Sequence, residues 1–134
     1  MAQEHANVSL LKQLDLRNLN AAAAQFAPDV VWHFFNPRLP DLQGDHFGLE
    51  GIRSFFEKMG ALSKGTFQVQ PVSITAAGDE LVVTHTKNWM VIQDQSIATD
   101  VVVVWRIVDG RIAEVWDIPS VHASSAQSSD QAWI

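Results

Sequence analysis

Three residues that could transfer protons stand within apolar stretches in the second half of the chain. His85 lies among valines and threonines, Asp100 precedes a run of four valines, and Asp117 follows Val115 and a tryptophan. Burial of a carboxyl or imidazole group shifts its pKa, and a carboxylate whose pKa is raised toward neutrality can act as a general base. These positions therefore suggest acid–base chemistry on a small molecule.

His33 is a fourth candidate, because it follows Trp32 in a short β-branched and aromatic stretch. Each of the four has a structural alternative. Asp117 could pair with a cation at a strand end, Asp100 could be a solvated edge carboxylate, and His85 could be a hydrogen-bonded core residue. Which of His33 and His85 points toward a binding pocket stays open at this level.

The elements that must position these residues are helices first and strands afterwards. Helical spacing of leucines and alanines predicts helices over 8–16 and 19–26, and an apolar stripe that includes Phe55 predicts a third over 49–62. β-Branched and aromatic runs predict strands over 30–35, 66–75, 80–93, 98–108 and 111–118, with 36–48 as a loop. This order favours an α+β fold, a cone in which three N-terminal helices and a strongly curved antiparallel sheet enclose a pocket.

The hairpin turn at Asp109-Gly110 sets a strand register that can be counted. A two-residue loop pairs Val108 with Arg111, and counting back places Val102 opposite Asp117. The same count at the preceding turn, Asp94-Gln95, adds the strand predicted over 80–93 to this register. One face then carries His85, Lys87, Trp89, Asp100, Val102, Val104, Val115 and Asp117, and the other carries Thr84, Thr86, Asn88, Val101, Val103, Trp105, Glu114 and Trp116.

The first face yields a hypothetical active site. Asp117 would be the base, His33 or His85 would orient it or donate to a developing oxyanion, and Asp100 would lie diagonally within about 8 Å of Asp117 at Cβ. The ligand-binding walls are predicted to be Trp32, Phe34, Phe55, Lys87, Trp89, Val102, Val104 and Val115. An apolar small molecule is the expected ligand.

Composition narrows the classes of function. The 134 residues include 9 lysines and arginines against 15 aspartates and glutamates, so the net charge of −6 disfavours nucleic acid and anionic membranes as partners. The chain has no cysteine, and its five histidines lack metal-site spacing, so we expect no metal and no cofactor. No apolar run reaches membrane-spanning length, and the absence of cysteine is compatible with a cytoplasmic location.

Three motifs, in this order, resemble those of the nuclear transport factor 2-like superfamily. They are FAPDVVWH at 26–33, GDHFGLEGI at 44–52, and DGRIAEVWD at 109–117, which resembles the final hairpin of SnoaL-like polyketide cyclases and the related ketosteroid isomerases. The resemblance covers roughly residues 6–120. It implies a cone-shaped fold with an internal pocket, and it implies that Asp117 abstracts a proton next to a carbonyl group.

The chain departs from the isomerase pattern in three places. It has no tyrosine for an oxyanion hole, Val102 stands near the position of the isomerases' protonated acid, and Phe34 stands near that of their base. The partner histidine of SnoaL-type enzymes is expected near Val103 or Val101, where valine stands. Steroid isomerisation is therefore not expected, whereas a cyclase, isomerase or dehydratase type of reaction on an apolar carbonyl or hydroxyl compound is.

Two alternatives belong to other classes of protein. A noncatalytic binding domain would need the pocket without the acids, and salt bridges that occupy both Asp117 and His85 would favour it. An interaction module would dimerise through the outer sheet face, where Trp105, Val101 and Val103 are predicted to be exposed, and a homodimer is expected under every reading. We predict one domain, with a core over about 6–120 and a flexible tail over 121–134.

Overall fold

The computed structural model describes residues 4–121. Three helices precede most of the sheet: α1 (Ala6–Gln13), α2 (Leu19–Ala22) and α3 (Gly48–Leu62), with a 3-10 turn (Ala23–Gln25) after α2. The strands are β1 (Phe26–Phe34), β2 (Gly44–Phe47), β3 (Gln68–Ala77), β4 (Leu81–Ile92), β5 (Gln95–Val108) and β6 (Arg111–Pro119). The predicted flexible tail lies, apart from Val121, outside the described residues.

Local chemistry explains where the helices begin and end. The Nδ1 atom of His5 accepts a hydrogen bond from the Asn7 amide and caps α1, and the Asn18 side chain caps α2 by accepting from the Ala21 amide. The Ser63 hydroxyl donates to the Met59 carbonyl at the end of α3. Gly65 then adopts φ 79° and donates to the Gly60 carbonyl, which reverses the chain toward β3.

The strands form one curved, open sheet in the order β2-β1-β6-β5-β4-β3. All neighbours are antiparallel except β1 and β6, which run parallel. The α+β fold with a curved sheet and three helices is therefore confirmed. The short edge strand β2 lies in the segment predicted as a loop, since its four residues carry little β-branched character.

One face of the sheet, which we call the inner face, packs against α3 and forms the core. Trp32 and Phe34 of β1 contact Phe55 at ring-centroid distances of 6.0 and 4.9 Å, and the ring of Trp105 meets Trp32 edge to face. Ile52, Phe55 and other residues of α3 are fully buried there. The opposite, outer face is partly exposed to solvent.

The register of β6 differs from the count by one residue. The turn at Asp109-Gly110 pairs Val108 with Arg111 as predicted, and both turn residues have positive φ, as a type I′ turn requires. A bulge then shifts the pairing, so that Arg106 faces Glu114. A bulge places one extra residue on one strand and moves every later side chain to the other face.

The preceding hairpin also differs from the count, but without changing faces. Its turn residues are Gln93 and Asp94, so Ile92 pairs with Gln95 rather than with Ile97. The shift is an even number of residues, and a strand's side chains alternate with a period of two. The predicted grouping of His85, Lys87, Trp89, Asp100, Val102 and Val104 on one face therefore survives.

Candidate functional site

Asp117 lies on the inner face, where Val103 and Phe34 are its paired neighbours on β5 and β1. Its side chain is buried, and its Oδ2 atom accepts a hydrogen bond of 3.2 Å from the Trp32 indole nitrogen. Within the described residues its carboxylate has no ion-pair partner. Asp117 is thus an acid held among apolar side chains by one neutral donor.

Burial controls the protonation of this acid. Loss of solvation raises the pKa of Asp117 to about 7, and the hydrogen bond from Trp32 opposes only part of that rise. A carboxyl group with a pKa near neutrality can both accept and return a proton at physiological pH. The site therefore has the property that a general base requires.

A cavity opens in front of Asp117, between the inner face and α3. Its space, counted out through the open mouth into solvent, measures about 350 Å³. The lining is mainly aromatic and aliphatic, with four polar residues: Phe34, Asn36, Leu39, Phe55, Phe56, Met59, Phe67, Asn88, Met90, Thr99, Val101, Asp117 and Pro119. In the part of the chain that the structure describes, no cationic side chain lines it.

The other predicted acid–base residues lie on the outer face. His85 pairs with Val102 and Lys87 with Asp100, one position out of phase with the inner residues Val101 and Val103. The Nε2 atom of His85 lies 2.9 Å from Asp100, and Nζ of Lys87 lies 3.6 Å from the same oxygen. The prediction that these residues share a face with Asp117 is wrong, because the β6 bulge moved Asp117 and not its supposed partners.

His33 belongs to a second outer cluster. Its ring nitrogens lie 2.6 Å from carboxylate oxygens of Asp45 and Glu114, and its ring stacks on Trp116. Partial burial lowers the pKa of His33, but the hydrogen bonds to the two carboxylates outweigh burial and raise it. Neither His33 nor His85 faces the cavity, so neither can orient Asp117 directly.

The predicted ligand-binding residues divide in the same way. Phe34 and Phe55 line the cavity, Trp32 lies beneath it as the donor to Asp117, and Val115 is buried in the core. Four predicted wall residues are on the outer face instead: Lys87, Trp89, Val102 and Val104. Conversely, Trp105, Val101 and Val103 are buried on the inner face, so the prediction of their exposure is wrong.

Asn36 and Thr99 are polar cavity residues that the sequence did not indicate, and Asn36 has the more unusual surroundings. It lies two residues beyond Phe34 and continues the alternation of the inner face, because the Phe35 amide donates to the Asp117 carbonyl just past the end of β1. Asn36 is fully buried, and among the described residues its Nδ2 atom has no hydrogen-bond partner. Its two-residue spacing from Phe34 was the available signal, but it fell in the segment assigned to a loop.

Among residues 4–121, no group of three or more histidine, aspartate or glutamate side chains is arranged to hold a metal ion. In the same described range, no helix has both the length and the apolar character needed to cross a bilayer.

Comparison with known proteins agrees with this architecture. The structure of an NTF2-like protein of unknown function from Burkholderia pseudomallei is similar over 87% of this chain and 90% of its own, with a TM-score of 0.73 and 22% identity. TerC, co-crystallised with polyporic acid, has a TM-score of 0.71 and 20% identity over 90% and 92% of the two chains. A putative SnoaL-like polyketide cyclase from Jannaschia sp. has a TM-score of 0.69 and 13% identity over 96% and 99%.

The search of curated proteins gave no significant match. The sequence profile of the SnoaL-like domain, however, matches residues 9–115, which is most of the chain. The resemblance stated from the three sequence motifs is confirmed by this match and by the structural neighbours. The protein belongs to the SnoaL-like domain family.

Proposed function

We propose that this protein is a cofactor-free acid–base enzyme in which Asp117 removes a proton from the carbon next to the carbonyl group of an apolar small molecule. The observation that carries the proposal is the buried carboxyl group of Asp117 on the wall of an apolar cavity, with a pKa near 7 and no ion-pair partner among the described residues. Such a group is costly to bury, and functional sites are where such costs are commonly found.

The cavity also limits the substrate class. Six of the thirteen lining residues are phenylalanine or methionine, and the described lining carries one acid and no cation. A neutral, largely planar ketone, of polyketide or terpenoid type, fits this chemistry better than a carboxylate or phosphate ester. One structural neighbour is a putative SnoaL-like polyketide cyclase, which supports a cyclase, isomerase or dehydratase type of reaction, and another was co-crystallised with polyporic acid, which supports a small organic ligand.

A noncatalytic binding domain is the alternative, and the inner site argues against it. That reading expected salt bridges to occupy both Asp117 and His85. His85 is paired with Asp100, but Asp117 has no such partner among the described residues.

A homodimer through the outer face is a further part of the proposal. Four apolar side chains there are 39–44% exposed: Trp89, Val91, Val102 and Ile118. They replace the residues named from sequence as the dimer surface. A cytoplasmic location also remains a prediction.

The test is exchange of the α-hydrogens of small cyclic ketones for deuterium in D₂O, followed by NMR, with 1-indanone as the first probe. The Asp117→Asn variant should lose about 100-fold or more of the exchange rate, because the base is removed and the shape is kept. Asp100→Asn is the matched control, since it removes an outer-face carboxylate of the same type. Equal exchange rates for wild type and Asp117→Asn would remove Asp117 from the mechanism.

A further inference from the structure

We propose that the side-chain amide of Asn36 donates a hydrogen bond to the carbonyl oxygen of the bound substrate and stabilises the oxyanion that forms there. The inference rests on the proposed function, and it adds a second residue that touches the substrate. It assigns a donor to a chain that lacks the tyrosine of the related isomerases.

The orientation of the Asn36 amide is fixed by its own backbone neighbourhood. Its Oδ1 atom accepts a hydrogen bond of 3.0 Å from the Arg38 amide, and its main-chain carbonyl accepts from Leu39. Rotating the amide by 180° would set its NH₂ group against the Arg38 N–H, donor against donor. The Nδ2 atom is therefore the end left for another acceptor.

The described residues supply no acceptor for the Nδ2 atom of Asn36, so a ligand is the remaining source of one. Asn36 is fully buried, it lines the cavity, and Nδ2 has no acceptor among the described residues. Buried amide donors are nearly always paired in folded proteins. A donor kept unpaired on the same cavity wall as a lone carboxyl group indicates a site built for a molecule with an acceptor oxygen.

The chemistry of the two groups is complementary. The Asp117 carboxylate takes the α-proton of the ketone, the electron pair of the broken C–H bond forms the carbon–carbon double bond of an enolate, and the negative charge moves to oxygen. The Asn36 amide stays neutral throughout and donates to that oxygen more strongly as its charge grows. Return of that proton to the α-carbon regenerates the ketone. If the Asp117 carboxyl first exchanges its proton with D₂O, deuterium is returned instead, and in a conjugated ketone return of the proton to the γ-carbon gives the isomer.

The experiment uses 1-indanone and indane, which have similar shapes but differ in the carbonyl oxygen. Binding of both to wild-type protein and to Asn36→Ser is measured by calorimetry, and the carbonyl stretch of bound 1-indanone is measured by infrared spectroscopy. Serine keeps an oxygen that can accept from the Arg38 amide but removes Nδ2. We expect 1-indanone to bind about tenfold more weakly to Asn36→Ser, indane to bind equally to both proteins, and the carbonyl band to move to higher frequency in the variant.

Asn88→Ser is the matched control, because Asn88 is the other amide on the cavity wall and its Oδ1 accepts from Thr86. It should leave the carbonyl band unchanged. If Asn36→Ser does not fold, Asn36→Asp, which keeps the shape and the turn, replaces it. A band that shifts in Asn88→Ser instead overturns the assignment, as does equal affinity of the wild type for 1-indanone and indane, including no measurable binding of either.

The outcomes separate this inference from the proposed function. Deuterium exchange that depends on Asp117, together with a carbonyl band that ignores Asn36, refutes only the role of Asn36. A band that responds to Asn36 in a protein without exchange refutes the enzyme proposal and leaves Asn36 as a ligand-binding residue.

Discussion

Asp117 and Asp100 are both strand aspartates, yet their environments shift their pKa values in opposite directions. Asp117 faces the apolar inner side, and loss of solvation raises its pKa to about 7. Asp100 faces the outer side, where the hydrogen bond from His85, and then Lys87, lower its pKa despite partial desolvation. The difference shows that residue type alone does not identify a catalytic acid, because the face of the sheet decides its chemistry.

The outer face follows the same rule in its other cluster. His33 lies between the carboxylates of Asp45 and Glu114, with Arg106 beside Glu114 at 3.8 Å. On the outer face, His33, His85, Asp45, Asp100 and Glu114 each lie beside a group of opposite charge. Among the described residues, the inner acid Asp117 has one neutral hydrogen-bond donor, Trp32. Paired surface charges satisfy one another, and an unpaired buried acid remains available to a ligand.

The largest expected effect comes from placing a new carboxylate on each face of the sheet, at adjacent residues of β5. Val103 is buried directly opposite Asp117, and Val102 is 39% exposed on the outer face. Val103→Asp should lower the free energy of unfolding by about 5 kcal/mol, since it buries an acid beside another acid. Val102→Asp should cost the monomer less than about 1 kcal/mol. Urea denaturation of both variants measures this difference.

Val102→Asp also tests the outer-face dimer. A charge inserted among Trp89, Val91 and Ile118 should convert the proposed dimer to a monomer in gel filtration without unfolding the chain. Equal destabilisation by the two β5 variants would show that the assignment of inner and outer faces is incorrect.

Much of the fold could be predicted from sequence because its signals are local. The apolar stripe of α3 and the Asp109-Gly110 turn each depend on a few adjacent residues, and the structure has both. Pairing across β4 and β5 was misjudged by two residues, but the period of two preserved the faces. The short strand β2 was missed because its pairing with β1, rather than its own residue types, makes it a strand.

The candidate site was only partly predictable, and one bulge explains why. The hairpin count correctly began at Val108 and Arg111, but the extra β6 residue before Glu114 has no signature among the apolar residues around it. Asp117 does line a cavity, but the residues predicted to share its face lie on the outer side of the sheet. Asn36 was missed because it follows the strand that its position continues.

A second prediction concerns how stability depends on pH. An unfolded aspartate releases its proton near pH 4, whereas Asp117 in the folded protein holds it until about pH 7. The folded state binds more protons in this window, so its stability should fall as pH rises from about 4 to 7, by on the order of 4 kcal/mol in total. Asp117→Asn should remove this fall and be more stable than wild type at pH 8.

Urea denaturation of both proteins at about pH 4 and at about pH 8, near the two limits of that window, measures this effect. Asp100→Asn is again the control, and it should not increase stability at the higher pH, because the pKa of Asp100 is lowered rather than raised. Parallel pH profiles for wild type and Asp117→Asn would mean that the inner carboxyl group is not desolvated.

The smallest expected change in stability is that of replacing His33, which tests the charge pairing on the outer face. Its raised folded pKa means that its pairing with Asp45 and Glu114 stabilises the protein fully below the unfolded histidine value of about 6.5. That contribution is lost as pH rises through the folded pKa. His33→Gln should therefore lose about 1 kcal/mol at pH values below about 6 and little at high pH, since these carboxylates are partly exposed.

This measurement is best made in the Asp117→Asn background, because the titration of Asp117 also lowers stability with rising pH. Asp45→Asn keeps the imidazole and removes the negative charge of one of its two carboxylate partners, so it should weaken the pH dependence without abolishing it. A His33→Gln profile that parallels its parent at every pH would show that the pKa of His33 is the same in the folded and unfolded states. Asp45 and Glu114 would then not stabilise the imidazolium, and the contrast between the outer face and the inner acid would rest on Asp100.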